Sequence, residues 1–435
     1  MRVPKCFGFF GWAARLALIM ALLSVGIRAA AADDQEQDCV PNPNLPASVP
    51  VTLRVALYPF TPDRLALFQK IESVFECENP NVNVVLVSTK NATDNYYSDD
   101  EKKKKGFRFV EADVYEVDTI LLADFIKLGK IAPIALPFSD FAPEGIASVT
   151  RNGKIFGVPR WLCGNFLFYR RTDTQIRDVQ TWKELRDVLA ARNQGLLVDF
   201  KGHSTLGEWY LTALSSLFGV DAAQQRIMDG VAIDGGAISS LQDILAACPV
   251  GYCRNEKLHE NTGFYARAFV RGQAPIYIGY SESISYGLHE VVDNCLPTSG
   301  CIAEKDIAVR ALPRFDPASN QAGIGWVDAL AIDATLTGTK KDLALKFVRK
   351  VVSEEVYQSI LQPEWPYRSR YLLPARRNLS ISDAPLYAQF FAAHRGRETG
   401  TRVGLNGKLR ETADKVDCAL PIDRDDTDTR NACPK

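Results

Sequence analysis

The sequence predicts an α/β protein built as two lobes, and three observations support this fold class. The chain has 435 residues, more than the roughly 150 residues of an ordinary single domain. A strand, a helix and a second strand follow one another between residues 51 and 87, in the order of a parallel crossover unit. A second α/β pattern begins near residue 160, so we expect two lobes rather than one enlarged domain.

The first unit begins with VTLRVALYPF, whose apolar residues alternate with the period of a strand. A helix follows, because Pro62 and Asp63 favour its start and the Asn-Pro pair at 79–80 favours its end. VNVVLV predicts the second strand. ADVYEVDTILL predicts a third strand, which carries Asp113 and Asp118. The polar segment before it, DNYYSDDEKKKKGFRF, predicts a solvated loop.

The second unit begins at NGKIFGVPRWLCGNFLFYRR, which predicts a turn followed by extended chain. The capping box at residues 181–184 then predicts the start of a helix. QAPIYIGYSES and IGWVDALAID predict short strands, and KKDLALKFVRKVVSEEVYQSIL predicts one long amphipathic helix. The sequence has no GxGxxG motif and no P-loop, so nucleotide chemistry is not predicted.

The N-terminus has the pattern of a secretory signal peptide. Basic residues precede a short apolar run, and small residues follow it, so we expect cleavage near Ala30–Ala32. The alternative is a membrane anchor, but the apolar run is shorter than the ~20 residues that span a bilayer. Two sequons, beginning at Asn91 and Asn378, fit a secreted glycoprotein.

The composition excludes several classes of partner. Hydrophobic residues make up 46% of the chain and charged residues 24%, as in globular proteins. The formal net charge is -1, so neither nucleic acid nor an anionic membrane surface is an expected partner. The four histidines have no ligand spacing, so no metal site is predicted. We expect a monomer.

Cysteine counting predicts one free thiol. The sequence has ten cysteines, and removal of Cys6 with the signal peptide leaves an odd number in an oxidising compartment. Two close couples are plausible bridges, Cys248 with Cys253 and Cys295 with Cys301. The outer four pair either as Cys39–Cys77 and Cys418–Cys433 or across the termini. Cys163 remains, either as a reactive thiol or as an inert packing residue.

The order of the predicted elements resembles the class II periplasmic solute-binding proteins. NGKIFGVP lies at the crossing into the second lobe, a TW-E-L helix follows, and ALKFVRKVVSEE comes late, over roughly residues 50–400. This resemblance implies two α/β lobes that close over a central ligand cleft. The expected organisation is a signal peptide at 1–32, a lead-in at 33–49, lobe 1 at 50–160 plus about 325–360, lobe 2 at 161–324 plus about 361–410, and a disulfide-containing tail at 411–435.

A narrower resemblance, to the thiaminase I (thiamine pyridinylase) family, lies in WLCGNFLFYR and YIGYSESISYG. ALYPFTPD, DVYEVD and WVDALAI are further agreements. The family carries a catalytic cysteine and glutamate on a binding-protein scaffold, which implies Cys163 as nucleophile and Glu282 as general base. Two features depart from the family pattern: Gly164 replaces an expected small hydroxyl residue, and CLPTSGC resembles an insertion.

The surroundings of Glu282 also fit a general base. Tyr277, Tyr280 and Tyr286 flank it, and an aromatic setting that excludes water raises the pKa of a carboxyl group. The alternative is an ordinary surface carboxylate in a loop.

Thiamine, the implied substrate, is a thiazolium cation joined to an aminopyrimidine, so its site needs aromatic faces and carboxylates. The candidate ring partners are Tyr58, Tyr97, Tyr265 and Tyr280. The candidate partners for the amino group and the cation are Asp328 and either Asp113 or Asp118. Core packing of the tyrosines and strand-end capping by the aspartates are the alternatives.

The family resemblance implies base exchange without a cofactor. Cys163 would add to the pyrimidine, the thiazole would leave, and a small nucleophile would replace it. Two rival functions remain open: a secreted protein that binds thiamine or another small solute without reaction, and a cysteine hydrolase on the same scaffold.

Overall fold

The computed structural model describes residues 50–420, apart from 295–299, 317, 319–322, 363–368, 382–383 and 399. All of them belong to one compact unit, Leu45–Lys435. The predicted signal peptide, the lead-in and the end of the tail lie outside the described residues. Among the described helices, none combines the length and apolar content that crossing a membrane requires.

The secondary structure alternates between strands and helices. The strands are β1 (Val51–Ala56), β2 (Val82–Leu86), β3 (Val114–Asp118), β4 (Thr150–Arg151), β5 (Lys154–Ile155), β6 (Val158–Cys163), β7 (Asn165–Arg170), β8 (Leu196–Val198), β9 (Ile276–Tyr280), β10 (Ile307–Arg310) and β11 (Trp326–Ile332). The helices are α1 (Arg64–Glu78), α2 (Thr119–Lys127), α3 (Pro143–Val149), α4 (Thr174–Asp178), α5 (Trp182–Ala191), α6 (His203–Phe218), α7 (Val220–Met228), α8 (Gly235–Leu245), α9 (Glu256–His259), α10 (Phe264–Val270), α11 (Ile284–Asn294), α12 (Gly338–Val351), α13 (Glu354–Leu361), α14 (Tyr387–His394) and α15 (Leu405–Ala419).

Two sheets organise these elements. The first has the strand order β2-β1-β3-β11-β6, and the second has the order β10-β7-β9-β8. β1 pairs in parallel with β2 and β3, whereas β11 runs antiparallel to both β3 and β6. β6 and β7 are separated only by Gly164, so the chain passes directly from one sheet to the other at this residue.

Both faces of the sheets are covered by apolar side chains. In β7, Phe166 and Phe168 pack into one hydrophobic cluster, whereas Leu167 and Tyr169 pack into the other. Because successive strand residues point to opposite faces, this alternation means that the sheet is buried on both sides. The predicted parallel crossover β1-α1-β2 is confirmed, with Leu67, Phe68, Ile71 and Phe75 of α1 buried.

Two predicted elements are wrong in their extent. The predicted strand ADVYEVDTILL stops at Asp118, because the Asp118 carboxylate accepts the Ile120 N–H at 2.9 Å and caps α2. The predicted long helix near residues 340–361 is two helices, α12 and α13. The hydroxyl of Ser353 accepts the Val356 N–H at 3.2 Å and starts the second helix.

The cysteine predictions are confirmed where the structure describes them. Cys248 and Cys253 form a disulfide, and Cys163 is the free cysteine of the described residues. Cys77, Cys301 and Cys418 are also disulfide-bonded. Their predicted partners, Cys39, Cys295 and Cys433, lie outside the described residues, so these pairings stay predictions.

The buried ion pair between Arg160 and Glu116 gives a testable stability prediction. Arg160 Nη1 lies 2.7 Å from Glu116 Oε1, and each side chain is 1% exposed. Arg160→Met leaves the buried carboxylate of Glu116 without a compensating positive charge, which costs about 3–5 kcal/mol of unfolding free energy. Chemical denaturation would measure the loss. Lys183→Met, which removes the exposed ion pair with Asp187, is the control and should change stability little. Equal losses in both variants would contradict the prediction.

Candidate active site

Most of the predicted site residues meet where the first sheet joins the second. β1, β3 and β6 run in the same direction, so their carboxyl ends lie at one edge of the first sheet. Tyr58 follows β1, Asp118 closes β3 and Cys163 closes β6, after which Gly164 leads into β7. The carboxyl edge of strands is the usual ligand-binding edge of an α/β sheet.

The Cys163 thiol is hydrogen-bonded to a carboxyl group. Its Sγ donates to Oδ2 of Asp328, in the neighbouring strand β11, at 3.5 Å. Burial raises the pKa of the thiol well above its usual value, and the nearby carboxyls of Asp328, Glu282 and Asp118 raise it further. The thiol is therefore neutral at physiological pH, and forming the thiolate requires a base or a nearby positive charge.

Asp118 and Asp328 form a carboxyl pair. They lie directly opposite each other on antiparallel strands and are 8% and 3% exposed. Burial raises the pKa of Asp118 to about 6. Burial and the adjacent Asp118 raise the pKa of Asp328 well above its usual value. Because two adjacent buried carboxylates repel each other, the pair retains one proton near neutral pH.

Two predicted tyrosines extend this pair. Tyr97 donates from its hydroxyl to Asp118 Oδ2 at 2.7 Å, and the hydroxyls of Tyr58 and Tyr97 are 3.1 Å apart. Tyr96 is also buried and accepts the Asp118 backbone N–H at 2.8 Å. The loop predicted to be solvated is therefore exposed at its charged tip, residues 101–105, but its two tyrosines point into the site.

The buried ion pair of the fold supports the same region. Glu116 accepts the Tyr58 backbone N–H at 3.0 Å through Oε2 and binds Arg160 through Oε1. The guanidinium of Arg160 lies 4.8 Å from the ring centroid of Trp161. This pair fixes the backbone of Tyr58 at the end of β1.

The second sheet contributes Tyr280 and Glu282. Tyr280 ends β9, pairs with Asn165 of β7, and interacts electrostatically with Tyr58 and Cys163. Glu282 follows two residues later, and its Oε2 accepts from Ser281 Oγ at 3.2 Å. Burial raises the pKa of Glu282, which is the predicted direction for a general base. We define the cysteine cluster as Tyr58, Tyr97, Asp118, Cys163, Tyr280, Glu282 and Asp328.

The structure does not bring Asp113 and Tyr265 into the cysteine cluster. Asp113 precedes β3, at the strand end opposite Asp118, and its Oδ1 lies 2.9 Å from Lys340 Nζ. Of the two aspartates left open by the sequence, the structure therefore favours Asp118. Tyr265 is on α10, and its hydroxyl donates to the Tyr252 carbonyl at 2.9 Å.

Sequence reasoning missed four residues around the cluster. Glu208 of α6 accepts a hydrogen bond from Tyr280, and Arg397 donates to the Asn165 carbonyl at 2.6 Å. His394 lies against the backbone carbonyl of Cys163, with its Nδ1 3.5 Å from Glu144. Phe60 is 54% exposed and stacks parallel to Tyr97, with 6.0 Å between ring centroids.

Only Phe60 had a local sequence signal, since it belongs to the ALYPFTPD segment. Gly164 gave an indirect signal for Arg397. A Cβ at this position would lie 2.0 Å from Arg397 Nη1, so the guanidinium occupies the space that a hydroxyl side chain would need.

The cysteine cluster suits a cationic ligand. It combines a shared-proton carboxyl pair, a third buried carboxyl group and several aromatic rings, which together attract positive charge. Within the described residues, no three His, Cys, Asp or Glu side chains have the arrangement of a metal site. A surface groove of about 310 Å³ lies elsewhere, between α1 and β2, and contains no cluster residue.

The carboxyl pair predicts how stability depends on pH. Since the pKa of Asp118 is raised to about 6, folding favours its protonated form. The resulting stability is present below the usual pKa near 4 and is lost as pH rises through about 6. Asp328→Asn removes the repulsion and should raise Tm at pH 8 by about 2–4 °C, with little change at pH 4.

Scanning calorimetry between pH 4 and 8 would measure this effect. Asp113→Asn is the matched control and should lower Tm at pH 8, because it removes the ion pair with Lys340. A lower Tm for Asp328→Asn at pH 8 would show that the pair is not repulsive.

Sequence comparison finds thiaminase I proteins among the relatives of this chain. A family model described as the thiaminase-1 domain matches residues 164–295, a segment that begins directly after Cys163 and contains Glu208, Tyr280 and Glu282. The thiaminase-1 of Paenibacillus thiaminolyticus is 26% identical over 397 residues, which cover 86% of this chain and 87% of that protein.

Two solved structures establish the fold. Clostridium botulinum thiaminase I in complex with thiamin has a TM-score of 0.67 and 22% identity, covering 84% of this chain and 98% of that chain. The maltose-bound MalE3 of T. maritima has a TM-score of 0.56 and 16% identity, covering 85% of this chain and 100% of that chain. The chain thus has the two-lobed fold of solute-binding proteins, residues 164–295 match the thiaminase-1 domain model, and the predicted resemblance to the thiaminase I family is confirmed.

Proposed function

We propose that this protein is an enzyme that cleaves thiamine by base exchange, with Cys163 as the nucleophile. The observation that carries the proposal is a free, partly buried thiol hydrogen-bonded to Asp328 within a cluster of carboxyl groups and aromatic rings. The domain match and the thiamin complex of the Clostridium relative support thiamine as the substrate.

The cluster complements both halves of thiamine. The aromatic rings of Tyr58, Tyr97 and Tyr280 offer faces for the two heterocycles. Asp118 and Asp328, which retain one proton between them, offer both a donor and an acceptor to the aminopyrimidine. The remaining negative charge attracts the thiazolium cation.

The reaction proceeds in two displacements. The Cys163 thiolate forms an S–C bond to a pyrimidine ring carbon. The bond between the methylene carbon and the thiazolium nitrogen then breaks, and its electron pair leaves with neutral thiazole. An amine, a thiol or water adds to the methylene and loses its proton, after which the C–S bond breaks and frees Cys163. The pyrimidinylmethyl group has then moved from thiazole to the new nucleophile, so no cofactor is needed.

Glu282 acts as the general base in this proposal. It takes the thiol proton and releases it to solvent, and it later takes the proton of the incoming nucleophile, which returns to the Cys163 thiolate at the end of the turnover. Burial raises its pKa, which brings a carboxyl group closer to the range useful for proton transfer near neutral pH. Asp328 is the thiol's hydrogen-bond partner and is the alternative base, so the two carboxyl groups need separate tests.

Two rival functions have less support. A binding protein that leaves thiamine intact would use the same lobes and rings but has no role for the thiol. A cysteine hydrolase would need a histidine on the sulfur, whereas His394 contacts the Cys163 backbone carbonyl and Glu144.

We also propose that the enzyme is secreted as a monomer after loss of residues 1–32. The signal-like N-terminus supports secretion, and so does the Cys248–Cys253 disulfide, since disulfides persist in oxidising compartments. The exposed Asn378 is the sequon more open to glycosylation, because the Asn91 amide already donates to the Lys104 carbonyl at 2.9 Å. The lobe boundaries and the tail at 411–435 remain part of this proposal, with residues 411–419 lying in α15.

Replacing the nucleophile tests the proposal directly. Cys163→Ser should lower the rate of thiamine loss by about 10³-fold or more and should retain thiamine binding by calorimetry, because the rings and carboxyl groups remain. Mass spectrometry of the wild-type protein mixed with thiamine should detect a pyrimidinylmethyl adduct on Cys163. Unchanged turnover in Cys163→Ser would exclude the mechanism, and intact thiamine with the wild type would favour the binding protein.

Two isosteric variants assign the base. If Glu282 is the base, Glu282→Gln should lower kcat by about 10²–10⁴-fold with little change in thiamine affinity, whereas Asp328→Asn should mainly weaken binding. Steady-state kinetics combined with calorimetry would separate the two effects. Asp113→Asn, at the other end of β3, is the matched control with unchanged kinetics. A kcat loss confined to Asp328→Asn would transfer the base role to Asp328.

A further inference from the structure

Glu208 is a buried carboxyl group that the proposed reaction does not use. It lies on α6, is 6% exposed and accepts two hydrogen bonds. Asn165 Nδ2 donates to its Oε1 at 3.0 Å, and the Tyr280 hydroxyl donates to its Oε2. Both carboxyl oxygens therefore have donors, which is the pattern expected for an ionised side chain.

Arg397 completes this arrangement. Its Nη2 donates to the Asn165 carbonyl at 2.6 Å, and its guanidinium lies 4.4 Å from the Phe166 ring centroid. Its positive charge favours the ionised form of Glu208. Because Gly164 has no side chain, it leaves the space that this guanidinium needs. The position of Arg397 therefore accounts for a glycine where the family pattern has a small hydroxyl residue.

The Tyr280 hydroxyl has one proton and two lone pairs. Since its proton is directed to Glu208, only acceptor lone pairs remain for the side that interacts with Tyr58 and Cys163. We propose that Glu208 is a positioning residue that turns the Tyr280 O–H away from the cysteine cluster, so that the Tyr280 oxygen accepts a hydrogen bond from the amino group of the substrate or faces its cation with a lone pair. This inference rests on the proposed function.

The protonation state of Glu208 should then affect binding. Burial raises its pKa to about 7, while Tyr280, Arg397 and Asn165 favour the ionised form and Asp118 opposes it. A protonated Glu208 no longer holds the Tyr280 proton, so the hydroxyl can turn and donate towards the cluster. Thiamine affinity should therefore decrease as pH falls through about 7, with a further decrease through about 6 from Asp118.

A double-mutant cycle tests this inference. Thiamine affinity would be measured by calorimetry at pH 8 in the non-reacting Cys163→Ser background, for Glu208→Leu, which removes the acceptor of the Tyr280 proton, for Tyr280→Phe and for the double variant. Each single variant should weaken binding by about tenfold. The double variant should bind thiamine no more weakly than the weaker-binding single variant, because both changes remove the same acceptor. In Glu208→Leu, the decrease near pH 7 should disappear and the one near pH 6 should remain.

A second, partly buried tyrosine–glutamate pair provides the control. Tyr371 donates to Glu304 and packs against Tyr387 and Phe390, outside the cysteine cluster. Tyr371→Phe and Glu304→Gln should leave thiamine affinity unchanged, whatever they do to Tm.

Two results would overturn the inference. Additive losses in the double variant would mean that Glu208 acts through its charge alone, and unchanged affinity in Glu208→Leu would mean that it does not position Tyr280. Both leave the proposed function intact, because thiamine still binds. Failure of the Cys163→Ser protein to bind thiamine, together with intact thiamine after incubation with the wild type, would instead reject the proposed function and this inference with it.

Discussion

The site depends on the burial of acidic groups around one thiol without enough positive charge to neutralise them. Asp118, Asp328 and Glu282 lie close enough to Cys163 to raise its pKa. Among the described residues, no lysine or arginine is within ion-pair distance of Asp118 or Asp328, whereas Glu116 has Arg160. The folded chain therefore retains protons that it would otherwise release at neutral pH. A bound cation would relieve the same repulsion, which is why the cluster favours a positively charged substrate.

The two-sheet architecture makes this concentration of acid possible. The carboxyl ends of three strands that run in one direction meet at one edge, and Gly164 carries the chain into the second sheet within a single residue. Cys163 and Tyr280 come from different sheets, yet Asn165, the partner of Tyr280, is only two residues from Cys163. A motion between the lobes of such a fold would therefore change the distances within the cluster itself.

The local parts of the site could be predicted from the sequence, and the distant parts could not. Cysteine counting identified Cys163, and family motifs identified Glu282. Both methods depend on short segments. Glu208 and Arg397 come from a helix and a loop far along the chain from Cys163, and no motif surrounds either of them. Asp113 and Asp118 share one short strand, so only the strand direction and the pairing with Asp328 distinguish them.

The same limit applies to the fold. The β1-α1-β2 unit was predictable because its alternation, its helix boundaries and its pairing are local. The break between α12 and α13 was missed because one serine hydroxyl, capping the second helix, outweighs a continuous amphipathic pattern. The predicted third strand ran too far for the same kind of reason, since the Asp118 carboxylate caps α2. Asp118 therefore both caps α2 and belongs to the cysteine cluster.

The raised pKa of Cys163 would matter for the proposed secreted enzyme. A thiolate exposed to an oxidising compartment reacts with disulfides and oxidants, whereas a neutral thiol is much less reactive. Under the proposed function, the buried carboxyl groups keep Cys163 protonated until a substrate arrives. The thiazolium cation then lowers the pKa of the thiol, and Glu282 receives the proton. The substrate that the thiolate attacks is thus also the charge that makes the thiolate available, so the features that attract thiamine also protect the nucleophile between turnovers.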